Sequence, residues 1–405
     1  MRILFLNHNL AGNGTWFRVM DAARRMVKRG HQASLYTVSR ERWYRPTSET
    51  IDGVRVHFGP NWNPWLHPDE GWNPLDIAWR TWRCLWEECD LVYAFAHPPC
   101  VYLPARLCRL LRRKPVVVDW CDLYQGGVHA LRQAERLERG DRGFRPWLIG
   151  RCEAVEARFE RWILDWSQGV TVISSALERQ ALEWGVPPER IMRLPSWARL
   201  DLFQPMDKKD CRRALGLDPD GVYLVYVANY NPDERLLLDA LRIVFERHRN
   251  VRLVARSPRL RMDPIRHAGV EDRIVWLDRM PDEGIARLLS AADANLLPMS
   301  DTAHNRHRWP HKFGDYLASG RPVLSNRIGD TAAFFGEPES PEAIGIAAAP
   351  DAEDYARAIT RFLERPDWWE RMGGQARRSA EESLSGEKLM ERLEAFLSRV
   401  ARIPA

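Results

Sequence analysis

Short, continuous apolar runs alternate with helical stretches along this chain, and they do so in two successive halves. In the first half, Ile3–Leu6 precedes a glycine-containing turn, Gly12-Asn-Gly14-Thr15. A helical pattern over Trp16–Arg29 then leads to the apolar run Ala33–Val38. Further strands are expected at Asp90–Phe95, Pro115–Val118 and Gly169–Ile173, with helical stretches at Pro104–Lys114 and Gln133–Asp165. The segment IDGVRVHF, with a turn at Asp52-Gly53, reads as a hairpin inside the otherwise irregular stretch Arg40–Glu70. The second half repeats the alternation with strands at Tyr223–Val227, Val251–Ala255, Ile274–Leu277, Ala294–Leu297 and Ile344–Ala347. Unbroken apolar strands are buried on both faces, which is the habit of parallel sheets covered by helices. A chain of 405 residues also exceeds one ordinary core. The expected fold class is therefore α/β: two facing, doubly wound parallel-sheet domains with a cleft between them.

The proline-bounded stretch Pro195–Pro205 is the expected linker, giving domains over 1–203 and 204–385. A final helix over 386–405 can pack back on the first domain. Within that helix Leu389, Leu393, Phe396 and Leu397 share a face.

Charge and cysteine content narrow the function. A net charge of +5 suits phosphorylated ligands or an anionic membrane surface and is too weak to indicate nucleic acid. Seven scattered cysteines without a paired spacing point to a reducing compartment. No apolar run approaches the ~18 residues that cross a bilayer, and the apolar run after Met1-Arg2 reads as a first strand. The expectation is a cytoplasmic protein, with peripheral contact on the cytoplasmic face of the membrane left open. Of the 18 tryptophans, 14 precede residue 200, so the first half is suited to carbohydrate or lipid contacts. Trp79, Trp82 and Trp86 recur on one helix face, for which core packing is the favoured use. The helix Pro104–Lys114 is read with Leu107, Leu110 and Leu111 inside and its arginines outside.

Candidate site residues cluster after strands, where open α/β sheets hold ligands. His97 follows one strand, and Asp119 and Asp122 follow the next, as candidates for hydrogen bonding or base chemistry. In the second half, Pro310 suits the start of a helix that Gly320 would end, with Lys312 in its first turn. Helix N-termini and cations attract phosphate. The segment before Pro310 is expected to be a loop. A metal site is not expected: His304, His307 and His311 place at most two on one face. The first turn lacks the third glycine of a dinucleotide fingerprint, which disfavours an oxidoreductase.

Several segments together resemble a known family. These are MRILFLNHNLAGNGTWFRVMDAARRMVKRGHQASLYT, VVVDWCD, TVISSALERQALEWGVPPERIMRLPSWARLDLFQP, WLDRMPDEGIARLLSAADANLLP and HKFGDYLASGRPVLSNRIGD. In order and spacing they are similar to retaining glycosyltransferase family 4, of the glycosyltransferase group 1 type, with two Rossmann-like domains in the GT-B fold. The resemblance implies an EC 2.4 enzyme that moves a sugar from a nucleotide diphosphate donor to a glycan, lipid-linked or small-molecule acceptor. The nucleotide sugar would be a co-substrate, and no cofactor or metal is required. Under the resemblance, Arg256, Arg308 and Lys312 are the candidate replacements for the family's diphosphate-binding cations, and Asp315 stands at its ribose-binding position. Gly14, Gly329 and Asp330 join the donor site, with Leu277, Asp278 and Arg279 near the nucleobase. His97 would face the donor sugar, and Asp119 or Asp122 the acceptor. Two departures stand out. His307 occupies a position where the family commonly has glutamate, and Asn229 and Glu234 stand near its phosphate-binding arginine and lysine. They leave an alternative open: a catalytically degenerate GT-B protein that binds a glycan or a partner.

Overall fold

The computed structural model describes residues 1–40, 44–61, 71–138, 140–229, 231–263 and 269–402. The chain forms two compact units, Met1–Pro195 with Glu387–Ala405, and Ser196–Gly386.

The first unit runs β1 (Arg2–Leu10), α1 (Trp16–Lys28), β2 (Gln32–Val38), β3 (Thr47–Ile51), β4 (Val54–Gly59), α2 (Pro74–Trp86), β5 (Leu91–Phe95) and α3 (Pro99–Arg112). It continues through β6 (Val116–Trp120), α4 (His129–Glu138), α5 (Phe144–Trp166), β7 (Gly169–Val172), α6 (Ser175–Glu183) and β8 (Ile191–Arg193). Its eight strands are ordered β3-β4-β2-β1-β5-β6-β7-β8. All pairs are parallel except β3–β4, the hairpin whose turn places Asp52 and Gly53 at positive φ. Residues 41–43 and 62–70 of the irregular stretch lie outside the described residues.

The second unit runs α7 (Lys208–Ala214), β9 (Val222–Val227), α8 (Glu234–Arg247), β10 (Val251–Arg256), α9 (Pro258–Arg261), β11 (Ile274–Trp276), α10 (Asp282–Ala291) and β12 (Ala294–Leu297). It then adds α11 (Ala303–His307), α12 (His311–Ala318), β13 (Val323–Asn326), β14 (Gly345–Ala348), α13 (Ala352–Leu363) and α14 (Trp369–Ser383). Its sheet, β11-β10-β9-β12-β13-β14, is parallel throughout. Each unit is thus a doubly wound, Rossmann-like domain.

Several local expectations change. Ser196–Pro205 packs as part of the second unit: Trp197, Ala198 and Phe203 are buried, and the Ala198 amide donates to Leu384 O at 2.8 Å. The last helix, α15 (Gly386–Ala401), is not among the changes: it lies in the first unit, where Glu394 pairs with Arg29 and His31.

The tryptophan stripe of α2 divides: Trp79 is half-buried with its ring 5.6 Å from that of Tyr36, and the rest is not core. Trp82 and Trp86 are exposed, and the opposite face is buried through Asp76, Arg80 and Cys84. Arg80 bonds Asp76 at 2.7 Å and the Asn7 carbonyl at 2.6 Å, where β1 shifts register. Helix α3 starts at Pro99, with Pro104 inside it. Its buried stripe is therefore Val101, Pro104, Ala105 and Cys108, while Leu110 and Leu111 are exposed.

Candidate functional site

Strand β9 ends where two neighbours bring charge to the same edge. Arg256, the last residue of β10, is buried; its guanidinium donates to Ala228 O at 3.5 Å and bonds Asn229 Oδ1. Tyr316 of α12 ties this edge down, its hydroxyl donating to Val227 O at 3.3 Å. Asp233, at the N-cap of α8, gathers the adjoining loops. It accepts from Asn305 Nδ2 at 3.0 Å on each oxygen, from the Ser300 amide at 3.1 Å and from Arg308 Nη2 at 3.3 Å.

Pro310 has no N–H to leave unsatisfied, and it caps α12 at φ −64°. Lys312 then stands in the first helical turn. It has no hydrogen-bond or ion-pair partner among the described residues. Desolvation, followed by the charges of Arg256 and Arg308, pushes its ammonium down to about 8; Asp315 and Glu234 oppose that shift. The Nε–H groups of Arg256 and Arg308 are buried and likewise lack an acceptor among the described residues. Buried donors are almost always satisfied. Three cations with unused donors beside a helix N-terminus therefore make an anion-binding arrangement.

The remaining donor-side candidates divide. Asp315 lies next to Lys312 on α12, but its carboxylate is held by Arg199, Nη2 to Oδ2 at 2.7 Å and Nε to Oδ1 at 3.3 Å. Burial raises the Asp315 carboxyl, and Arg199 pulls it back. Gly329 is at φ 62°, and a Cβ there would sit 3.0 Å from Asn305 O. Glycine is what lets this turn lie against the segment before α12. Asp330 opens the 3-10 turn Asp330–Phe334 that follows. The Leu277 amide donates to Ala255 O at 2.9 Å, and Arg279 lies near enough to depress the Arg256 guanidinium. Asp278 points outward to Arg261 at 2.7 Å.

The two departures have distinct surroundings. Glu234 is buried and accepts from the Ser257 hydroxyl at 2.7 Å and from Tyr226 OH at 3.2 Å. Both hydroxyls bond the same oxygen, Oε1, and the carboxylate's charge favours the Lys312 ammonium. His307 lies on α11, a short helix where a loop was expected, capped by the Thr302 hydroxyl. Its Nδ1–H donates to Ala303 O at 2.7 Å, which leaves Nε2 as the ring nitrogen directed elsewhere.

In the first unit, Gly14 has φ 51°, and a Cβ there would meet Asn9 Oδ1 at 2.4 Å. That same oxygen receives the Thr15 amide at 2.8 Å, so the turn is closed by β1 itself. Asp119 is fully committed. Arg18 donates to it at 2.7 and 3.0 Å and Thr171 at 2.6 Å, all buried. Asp122 lies just beyond β6 and is half-buried. His97 is buried, with its ring edge-on to Tyr124 at 4.4 Å; its Nε2 has no partner among the described residues. Desolvation drives its imidazole well below the usual range, with His129 and His8 adding to the effect.

The cluster around His97 was not singled out from sequence. Tyr124 OH lies 3.2 Å from His8 Nε2, and His129 Nε2 lies 2.9 Å from the buried Glu156. His8 sits at the carboxyl end of β1, and that position is the signal that could have marked it. Arg199, the partner of Asp315, carried no comparable signal. Among the described residues, no group of three or more His, Cys, Asp or Glu could hold a metal ion.

A doubly wound sheet whose carboxyl edge gathers Lys312 and the unused Nε–H groups of two arginines defines a class of protein suited to phosphorylated ligands. Family models described as a glycosyl transferase 4-like domain and as glycosyl transferases group 1 match residues 13–197 and 221–365. The chain belongs to the group 1 glycosyltransferases of the GT-B fold, and it is an enzyme of that transferase class.

Among its relatives is D-inositol 3-phosphate glycosyltransferase 2 of Catenulispora acidiphila. The two are 26% identical across 45% of this chain and 44% of that protein. The D-inositol 3-phosphate glycosyltransferase of Thermomonospora curvata is 24% identical, across 89% of this chain and 85% of its own length. Sucrose-phosphate synthase from Thermosynechococcus elongatus shares the fold at a TM-score of 0.75. It is 17% identical, with 98% of each chain covered. Anabaena HepE, solved in complex with UDP-glucose, aligns at a TM-score of 0.70. It is 16% identical, with 98% of this chain and 100% of that one covered.

Proposed function

We propose that the enzyme transfers a sugar from a nucleoside diphosphate donor to a glycan, lipid-linked or small-molecule acceptor, with retention of anomeric configuration. The observation that carries this reading is Lys312, unpaired in the first turn of α12 beside the unused donors of Arg256 and Arg308. The UDP-glucose held by HepE supports the same class of donor.

As the donor C1–O bond breaks, negative charge builds on the departing diphosphate. Three fixed cations and a helix N-terminus stabilise that charge more than they stabilise the ground state. The acceptor oxygen forms its bond to C1 on the face the diphosphate leaves, and its proton passes to the leaving phosphate oxygen. This route needs no strong protein base, and Asp119, locked to Arg18, is not asked to be one. Asp315 keeps a lone pair for a ribose hydroxyl beyond its bonds to Arg199, since a carboxylate accepts at about four sites. Gly329 and Asp330 complete the phosphate side, and Leu277–Arg279 border the base. In the first unit, Gly14 lets its turn close on Asn9. His97 offers a neutral ring nitrogen to a sugar hydroxyl, and Asp122 serves the acceptor. His307 stands where the resembled family commonly keeps a glutamate, and its Nε2 is offered to the donor sugar.

The test is product chemistry. Incubation with UDP-, GDP-, ADP- and dTDP-sugars and a panel of acceptors should release one nucleoside diphosphate. The anomeric proton coupling of the product should match that of the donor. Inverted product would exclude the retaining route, and an absence of turnover with every donor would exclude the reading.

A further inference from the structure

Helix α5 separates its charges in a way the transfer reaction does not explain. Its glutamates face other protein groups. Glu153 is bonded to Arg136 at 2.7 Å and Glu156 to His129 at 2.9 Å. Glu160 takes the Trp120 indole and the Tyr124 amide, each at 2.8 Å. The outer face carries Phe144, Trp147 and Trp162, which are 74%, 58% and 47% exposed, together with exposed Arg151, Arg158 and Arg161.

At 100° per residue these six side chains fall within roughly 100° of arc and extend about 27 Å along the helix. Phe144 stacks on Trp147 at 5.6 Å, and the Arg151 guanidinium lies 5.9 Å over the Trp147 ring. Asp165, in the last turn, is the acid on this side, so the face keeps a net positive charge.

We infer that this face of α5 docks the enzyme on an anionic lipid bilayer. Indole and phenyl rings partition to the headgroup boundary, and arginines extend to lipid phosphates while their stems lie along apolar surface. Aromatics and arginine also mark protein interfaces, but here the arginines keep a net positive charge spread along about 27 Å of one helix, which suits an extended acidic plane. An acidic bilayer matches both components, and the helix lies flat on it rather than crossing. Among the described residues no helix is long and apolar enough to span a membrane.

The test is co-sedimentation of the full chain with vesicles of phosphatidylcholine alone or mixed with phosphatidylglycerol, at low and moderate salt. Binding is expected to the phosphatidylglycerol vesicles only and to weaken as salt screens the arginines. The double variant R151E/R158E should bind roughly tenfold or more weakly. Trp147→Ser should lose most of the binding that survives at moderate salt. Thermal melts and circular dichroism confirm that each variant is folded. The milder Arg151→Gln, expected to weaken binding several-fold, serves if the double variant is not. Three results would overturn the inference. One is a chain that stays in the supernatant with acidic vesicles, and another is variants that bind like the parent. The third is binding that a soluble polyanion abolishes while Trp147→Ser leaves it untouched, which would assign the face to a polyanion.

Discussion

Arg199 grips both carboxylate oxygens of Asp315, with its Nη2 2.7 Å from Oδ2. Nη1 of the same guanidinium reaches Asp282 at 2.7 Å, so the start of the second unit is fastened to α12 and α10 together. Asp315 adjoins the anion-binding residues, and Arg199 fixes its rotamer. Removing the arginine would leave a buried carboxylate without its cation. Arg199→Met is expected to destabilise the protein by roughly 2–3 kcal/mol, below the range for a fully buried pair because the arginine is partly solvated. Denaturant unfolding checks this. Asp315→Asn keeps the shape and should weaken nucleoside diphosphate binding about tenfold, the value of one hydrogen bond to a charged group.

The buried pair Arg18–Asp119 gives a contrasting expectation. Both side chains are essentially inaccessible, and Thr171 adds a third bond to the carboxylate. Asp119→Asn should cost about 3–5 kcal/mol of stability. Nucleoside diphosphate affinity of the folded protein should stay unchanged. A large affinity loss without a stability loss would return Asp119 to the site.

Lys312 predicts a pH signature. Its ammonium sits near 8 in the folded chain against an ordinary 10.5. Below pH 8 it is charged in both folded and unfolded states, and the full cost of burying it is present. Between pH 8 and 10.5 the unfolded chain holds the proton and the folded chain does not, so stability rises with pH through that window. Lys312→Met should therefore stabilise the ligand-free protein at pH 7, by about 1–2 kcal/mol after allowing for partial solvation. The gain should vanish above pH 10.5. Bound diphosphate should restore the charge, so binding at pH 8 should take up a proton, measurable by calorimetry in buffers of different ionisation enthalpy.

His8 predicts the opposite limb. Burial lowers its imidazole to about 3, with the Phe95 carbonyl opposing the shift. The unfolded chain binds this proton below about pH 6.5 and the folded chain does not. Stability from this group is therefore complete above pH 6.5 and is lost progressively toward pH 3. His8→Gln should flatten the acid side of the stability profile, as read by thermal melts between pH 4 and 7.

The alternation of strands and helices was legible because buried parallel strands must be apolar throughout, and hairpin and helix ends carry glycine and proline. Helix faces were harder. Trp82 and Trp86 read as core because indole is apolar, yet α2 buries Asp76 and Arg80 to tie down Asn7. Burial of an ion pair depends on partners far away in sequence, which spacing does not encode. Lys312 was singled out from its place at a helix start, whereas Arg256 and Arg308 entered only as candidate replacements for cations that the resembled family keeps elsewhere. Their grouping is three-dimensional, and so are the Arg199–Asp315 clasp and the bonds from Tyr226 and Ser257 to Glu234.

If Lys312, Arg256 and Arg308 supply the charge for the leaving group, turnover should continue in the presence of a divalent-metal chelator. A strict and reversible requirement for Mg²⁺ or Mn²⁺ would show that these residues are insufficient.

The most direct measurement is isothermal titration of the protein with UDP, GDP, ADP and dTDP, alongside Lys312→Ala. At least one nucleoside diphosphate should bind below millimolar dissociation constant, with Lys312→Ala weakening it tenfold or more. Millimolar or weaker binding of all four, or unchanged binding in Lys312→Ala, would contradict a diphosphate site at the start of α12.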